Sequence, residues 1–450
     1  MSRDTDQSVE PLTHVDQLIA YFRGGEKPTD KPLGFGTEHE KFVFKRESGQ
    51  MLSYDEPGGF SDLFGQLVEQ YGWEASLDRG KIVALVKNGA AITLEPGGQF
   101  ELSGAIKHTA FETQREFDDH IREIKAVAGD RLAFVAWGAN PFFEPSQIPW
   151  MPKSRYKIMR DYMTKRGTLG HWMMKTTCTV QGNYDYTSEA DAADIIRTCL
   201  LVTPLVSAMM ANSPVSAGQD RDMQSFRCHI WTDTDPDRTG FPAFMYGKDW
   251  GYEAYTQYIL DVPMYFIRRD NKYIDMSGHS FRDFMAHGHD GHTATMGDFE
   301  LHLSTTFPEV RMKTYIEVRG ADAGTREMML ALPALWKGII YDPTARAEAA
   351  GLMEGYTPQT HRAMFLEIIK QGIHAVEPTG PIFPKVAALL DIAHRGLDRI
   401  GVRDGHDSEA IFLDPIRDHL GRASSPADDL RATYHEHEGD WEAIVGAYEL

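Results

Sequence analysis

"GFGTEHEKFVF", residues 34–44, is the stretch on which the fold turns. It reads as a β-strand with Glu38 and Glu40 two residues apart. Side chains at i and i+2 of a strand point to the same face. The two carboxylates are therefore aimed together, and Phe42 and Phe44 continue that face into apolar surroundings. Like charges packed this way repel, and burial raises the cost unless something positive sits between them.

The rest of the chain limits what that positive partner is. The 450 residues are 42% hydrophobic and 11% aromatic, enough to bury a large core. Acidic residues number 66 against 46 basic ones, a net charge of −20. A nucleic-acid binder needs a basic face, so no nucleic-acid partner is expected. The three cysteines, Cys178, Cys199 and Cys228, form no C-x-x-C pair, which argues against a disulfide framework or a zinc ribbon. The acidic start "MSRDTDQSVEPLTHVDQL" has no apolar core of a signal peptide. The apolar run 195–211 is short for a bilayer span and carries Arg197 and Pro204, so it reads as a buried core helix kinked at Pro204, with no membrane partner.

Outward from the opening strand, residues 12–23 read as an amphipathic helix, with 1–29 as lead-in to a single domain over 30–450. Residues 61–72 read as a helix capped by Ser61, followed by short strands at "IVALVKNG" and "AAITLEPGG". "GGQFELSGA" (97–105) alternates Gln99, Glu101 and Ser103 against Phe100 and Leu102, the pattern of a half-buried strand. A helix is expected from about 110 to 129, then strands at "RLAFVAWG", "TTCTVQGNYDY" and "FRCHIWTD". "MYFIRRDNKYIDMS" reads as a hairpin turning at Asp270-Asn271, and "TYIEVRGAD" as a further alternating strand. Beyond about 325 the pattern is helical. Hairpin-linked strands followed by helices mean α+β with an antiparallel sheet.

Several of these strands carry carboxylates: Glu38 and Glu40, Glu101, Glu95 just before its turn, and Glu317 beside Tyr315 and Arg319. A solvated strand face would interleave lysine. Carboxylate oxygens with almost no histidine or cysteine are what Mg²⁺ prefers, and Mg²⁺ so held usually handles phosphates. Neither a G-x-x-x-x-G-K-[ST] loop nor a G-x-G-x-x-G after a strand is present. A bound nucleotide would then rest on metals and arginines, and Arg155, Arg160, Arg227, Arg311 and Arg319 supply the forks.

The stretches "GTEHEKF", "EPGGQFELSGA", "WMPKSRYKIMRDYM", "TCTVQGNYDY", "ANSPVSAG", "FRCHIWTDTDPDRTG", "LDVPMYF" and "TTFPEVRMKTYIEVRGAD" closely resemble glutamate–cysteine ligase of the plant and proteobacterial type, in that family's order over roughly residues 30–340. The resemblance implies a glutamine-synthetase-like fold, a curved antiparallel sheet lining a funnel. It also implies ATP-dependent joining of cysteine to the γ-carboxylate of glutamate, the first step of glutathione synthesis. Carried over residue by residue, it makes Glu38, Glu40, Glu101 and Glu317 ligands of two or three Mg²⁺ ions, with Glu95 and Gln181 at the same rim. Arg319 takes the place of the arginine on the transferred phosphate, and Arg155 and Arg227 that of the pair gripping the amino-acid substrate. Tyr265 and Trp231 fall in the cysteine pocket. The residue types suit such chemistry: ATP converts a carboxylate to an acyl phosphate, an amine displaces phosphate, and no protein nucleophile is needed. The rival readings are a carboxylate–amine ligase with another acceptor, and a nucleotide-sensing protein that has lost turnover.

Three features invite over-reading. "HGHDGH" (287–292) reads as a Gly-rich polar loop between strands, "YHEHE" near the C-terminus as an exposed helix face, and Cys178 and Cys228 as small buried thiols. Plant members of the family carry regulatory cysteine pairs, whereas Met276 stands here where that pattern has a cysteine. Thiol regulation is therefore not expected, and either a monomer or a homodimer fits. Without a transit-peptide pattern, a bacterial cytoplasmic location is expected.

Overall fold

The structure is a computed structural model and describes residues 8–450; residues 1–7, the start of the acidic N-terminal stretch, lie outside the described residues. The elements that build the site are eleven strands and eight helices. The strands are β1 (Phe35–Lys45), β2 (Glu74–Asp78), β3 (Lys81–Lys87), β4 (Ala90–Leu94), β5 (Phe100–Ser103), β6 (Leu132–Val135), β7 (Thr179–Tyr184), β8 (Phe266–Arg269), β9 (Lys272–Asp275), β10 (Val310–Met312) and β11 (Ile316–Asp322). The helices are α1 (Val15–Arg23), α2 (Phe60–Tyr71), α3 (Ala110–Ala128), α4 (Arg155–Met163), α5 (Glu189–Met210), α6 (Phe226–Trp231), α7 (Arg326–Ile340) and α8 (Phe383–Ile400).

Among the described residues the main sheet has nine strands, in the order β10-β11-β7-β1-β5-β4-β3-β2, with β6 also paired to β1. Every pairing in it is antiparallel. The opening strand is its pivot. Residues 38–41 of β1 pair with β5, while 42–45 pair with β6, so the two halves of one strand serve different neighbours. Apolar residues from Leu12 to Val445 form one buried cluster, and a second packs between α2, α3 and the β3–β5 meander.

Most elements lie where the sequence places them. The hairpin β8–β9 turns at Asp270 and Asn271, both with positive φ, as a two-residue turn requires. Helix α5 is the one described helix long and apolar enough to cross a membrane, and nearly all of it is buried inside the protein. Three expectations are corrected and one strand is added. The chain over "FRCHIWTD" is helix α6, not a strand. Helix α2 starts at Phe60 behind Gly59, so Ser61 lies within its first turn rather than at the cap. The strand β2 comes as an addition, its side chains too exposed for a clear alternation. The turn in "HGHDGH" lies between the helices Phe281–His287 and Met296–Leu303 rather than between strands, with His289 and His292 paired through their backbones.

Candidate active site

Strand register collects the site. Glu40 stands directly opposite Glu101, Glu38 opposite both Ser103 on β5 and Gln181 on β7, and Glu317 opposite both Asn183 and Arg311. Period-two alternation then puts Glu38, Glu40, Glu101, Gln181, Asn183 and Glu317 on one face of the sheet. Glu95 arrives from the turn between β4 and β5. There Gly98 has φ +83, and Gln99 ties the turn down by accepting from the Gly97 amide (2.9 Å) and donating to the Met174 and Thr177 carbonyls. The Met151 amide donates to the Pro96 carbonyl, and Asp78 accepts from the Ser154 amide and hydroxyl, which sets the start of α4 and brings Arg155 over the sheet.

A cavity of about 110 Å³ forms above this face, lined by Glu38, Glu40, Glu95, Glu101, Arg155, Gln181, Phe266, Phe307, Arg311 and Arg319 among others. Two carboxyls of its acidic wall, Glu101 and Glu40, are held above their ordinary range. Glu101 is 2% exposed and accepts from the Ser103 hydroxyl; burial, then Glu38, Glu95 and Glu40, hold its carboxyl well above the usual range. Burial and Glu95 push Glu40 up to about 8, although Arg227 and the Thr179 amide (3.0 Å) oppose the shift. Asn183 donates to Glu38 at 3.0 Å.

Glu317, expected as a metal ligand, lies on the same sheet face but is enclosed by cations rather than by the other carboxylates. It is fully buried, and its oxygens accept from Arg311 at 2.6 and 2.7 Å, from Lys313 at 3.0 Å and from Arg319. Burial alone would raise its carboxyl, but Arg311, Lys313 and Arg319 hold it well below the ordinary value. Glu317 anchors Arg319, and Gln181 provides the second anchor by accepting from Arg319 Nη1 at 2.8 Å.

The remaining expected residues divide. Arg227 and Trp231, four apart on α6, line a small crevice with Phe307, Pro308, Glu309 and Arg319. Arg227 Nη2 donates to the Arg319 carbonyl at 3.0 Å, while its Nε has no partner. Tyr265 lines neither space. Its buried ring is covered by the Arg238 guanidinium at 3.8 Å, and the neighbouring Phe266 lines the cavity. Arg311, expected as a fork for a nucleotide, is instead committed to Glu317, and Glu309 is the lining residue that sequence reasoning did not place. The alternation of charges through "EVRMKTYIEVR" was the available signal.

Among the described residues, no group of three or more His, Cys, Asp or Glu side chains is arranged to hold a metal ion unaided. The donor set still suits Mg²⁺, which is commonly bound by one or two carboxylates together with substrate phosphates rather than by an all-protein cage. Crowded carboxylates without a cation are the feature such an ion would relieve.

The family model for glutamate–cysteine ligase family 2 matches residues 34–447. The chain is 40% identical over 447 residues to the chloroplastic glutamate–cysteine ligase of Arabidopsis thaliana, covering 98% of this chain and 83% of that one. Against the Medicago truncatula chloroplastic enzyme it is 39% identical over 448 residues, covering 99% and 86%. These names overturn the cytoplasmic expectation, because the plant relatives at 38–40% identity are chloroplastic. Two solved structures share the fold. Glutamate–cysteine ligase from Francisella tularensis, in complex with AMP, superposes with TM-score 0.58 at 10% identity over 93% of this chain and 87% of that one. A bifunctional glutathione synthetase from Pasteurella multocida gives 0.55 at 12% identity over 97% of this chain and 54% of that longer one.

Proposed function

The chain belongs to glutamate–cysteine ligase family 2, and on that premise we propose a division of labour in its cavity: Glu38, Glu40, Glu95 and Glu101 hold Mg²⁺, Arg319 faces the transferring phosphoryl group, and Arg155 and Arg227 grip amino-acid carboxylates. The reaction joins the amine of L-cysteine to the γ-carboxylate of L-glutamate at the expense of ATP, in glutathione biosynthesis. The observation that carries the assignment is the unrelieved pair Glu40–Glu101, faced across one cavity by Arg155 and Arg319. Bound Mg²⁺ would supply neutralisation of the phosphate charge.

The chain's own residues do the rest. Arg319 is held by Glu317 and Gln181, so its guanidinium is fixed before substrate arrives and pays no reorganisation as charge develops on the phosphoryl oxygens. Arg155, 8% exposed at the first turn of α4, faces the carboxylates from the far wall. Phe266 and Phe307 form the cavity's apolar margin and keep water from the activated carboxyl. The AMP bound to the Francisella enzyme supports a nucleotide in the same fold. One buried apolar cluster reaching from Leu12 to Val445 supports a single catalytic unit over residues 30–450.

The test is phosphate release from ATP and Mg²⁺ with glutamate and a panel of amines. Cysteine should be preferred among the amino acids. Equal or faster release with a different amine would move the chain to another carboxylate–amine ligase, and no glutamate-dependent release would end the ligase reading.

A further inference from the structure

The crevice beside the main cavity has a volume of about 10 Å³, room for one water-sized group, and shares Phe307 and Arg319 with the carboxylate cavity. An ammonium head has that size; a whole amino acid does not. Among its lining residues is one anion, Glu309. That residue is 8% exposed, yet among the described residues its carboxylate makes no hydrogen bond and no ion pair. Its backbone is firmly placed: the Glu309 amide donates to the Gly240 carbonyl at 2.9 Å, and its carbonyl accepts from the Arg319 amide at 3.0 Å. Room for the carboxylate is kept by Gly320, where a Cβ would come within 2.7 Å of Glu309 Oε2. Arg227 and Arg319, which line the same crevice, act on that carboxylate through space without coming within hydrogen-bond or ion-pair distance.

We propose that Glu309 receives the ammonium group of the acceptor amino acid and takes its proton before attack. The inference rests on the ligase reading and on Arg319 at the transferring phosphoryl group. The attacking nitrogen must reach the acyl-phosphate carbon, next to that phosphoryl group, and the crevice opens beside Arg319. The α-amine of the donor glutamate is separated from its own γ-carboxyl by three carbons and does not meet this requirement. Trp231 and Phe307 wall the crevice with the Arg319 guanidinium already over their rings, at 6.0 and 5.6 Å, and Arg227 at the crevice edge is placed for the acceptor's carboxylate. Burial holds the Glu309 carboxyl above its ordinary value against Arg227 and Arg319, which brings it closer to an amine as a proton acceptor. In the step, one N–H proton passes to Glu309 and frees the nitrogen lone pair. The C–N bond then forms, and the acyl C–O bond breaks, with its electron pair leaving on phosphate. A second nitrogen proton leaves with that phosphate.

Hydroxylamine separates this role from a structural one, since it is uncharged at neutral pH and traps an acyl phosphate without needing a base. With Glu309→Gln, glutamate hydroxamate formation from ATP, Mg²⁺, glutamate and hydroxylamine should stay within about twofold of the wild type. The kcat/KM for cysteine should fall about 100-fold or more, and the residual rate should climb with pH as free amine accumulates. Equal loss of both activities, or retention of both, would overturn the assignment. If Glu309→Gln does not fold, Glu309→Asp reads the same ratio, with about a tenfold smaller cysteine rate expected and an unchanged ratio overturning the proposal. A wild-type protein that makes no hydroxamate would instead overturn the ligase reading on which the inference stands.

Discussion

Replacing Glu317 by glutamine tests the cationic half of the site. In the wild type this fully buried carboxylate answers three cations: Arg311 through two bonds of 2.6 and 2.7 Å, Lys313 at 3.0 Å, and Arg319. Arg311 cannot swing away, because it also donates to the Ser304 and Thr306 carbonyls at 2.8 Å each. Glutamine leaves the three cations facing one another and turns an amide donor toward a guanidinium donor. Removing one partner of a buried pair costs about 3–5 kcal/mol. At about 2.1 cal/mol/K per residue, a chain of this size unfolds with an entropy near 1 kcal/mol/K, so the melting temperature should fall by about 3–5 °C. The sign with pH follows from the depressed carboxyl. Its stabilisation is complete above the ordinary value of an unfolded glutamate and is lost as pH falls through the folded one, so the gap should be full at pH 7 and close only in acid. Calorimetry of both proteins without nucleotide or divalent ions measures this. A variant melting at or above the wild type would refute the reasoning, since that is the behaviour of a carboxylate crowded by other carboxylates.

Glu101→Gln should behave in the opposite way: without divalent ions it should melt about 1–2 °C higher, through removal of a buried carboxyl crowded by Glu38, Glu95 and Glu40, yet lose ligation at saturating Mg²⁺; calorimetry and a coupled ADP assay check the two halves. Arg227→Lys keeps the charge and loses the fork, so an amino-acid KM should rise about 10- to 150-fold for a charge-assisted bond of about 1.5–3 kcal/mol, measured by initial rates with each substrate varied. Dithiothreitol should change neither rate nor elution volume, because Cys178, Cys199 and Cys228 are free and buried and burial pushes the Cys228 thiol up to about 12; assays and size exclusion with and without reductant check this.

The acidic wall was legible because a strand has a period of two. Glu38 with Glu40, and Gln99 with Glu101 and Ser103, need only that rule to share a face, and the register then sets Glu40 against Glu101. The polar face of β5 nevertheless meets a cavity rather than solvent, which alternation cannot distinguish. Helix α6 was misread for a similar reason. Phe226 with Ile230, and Arg227 with Trp231, share a face in a helix and in a strand alike, since four residues return to the same side in both. The Ser225 cap, whose hydroxyl accepts from the Cys228 amide, was the local signal for a helix. That ambiguity spared the site: Arg227 and Trp231 still arrive together. The cations around Glu317 were not legible, since the return strand that places Arg311 opposite it is a tertiary fact.

Taken together, these placements give the sheet face a charge boundary. On the side of β1 and β5 stand four carboxylates, of which Glu40 and Glu101 are held above their ordinary value; on the side of β10 and β11, one carboxylate is outnumbered by Arg311, Lys313 and Arg319. The strand between them, β7, contributes neutral amides, and each serves one side: Asn183 donates to Glu38, and Gln181 accepts from Arg319. A charged residue on β7 would tie the two halves into ion pairs and quench both. An uncharged one leaves the acidic half in need of a metal ion and leaves Arg319 with a fixed direction. A phosphoryl group moving to a carboxylate needs cations around it; Arg319 supplies one from its side of the boundary, and the carboxylates on the other side would hold a metal ion that supplies the rest. Glu309 lies beyond Arg319, on the far side of that boundary from the carboxylates, where the incoming amine has to approach.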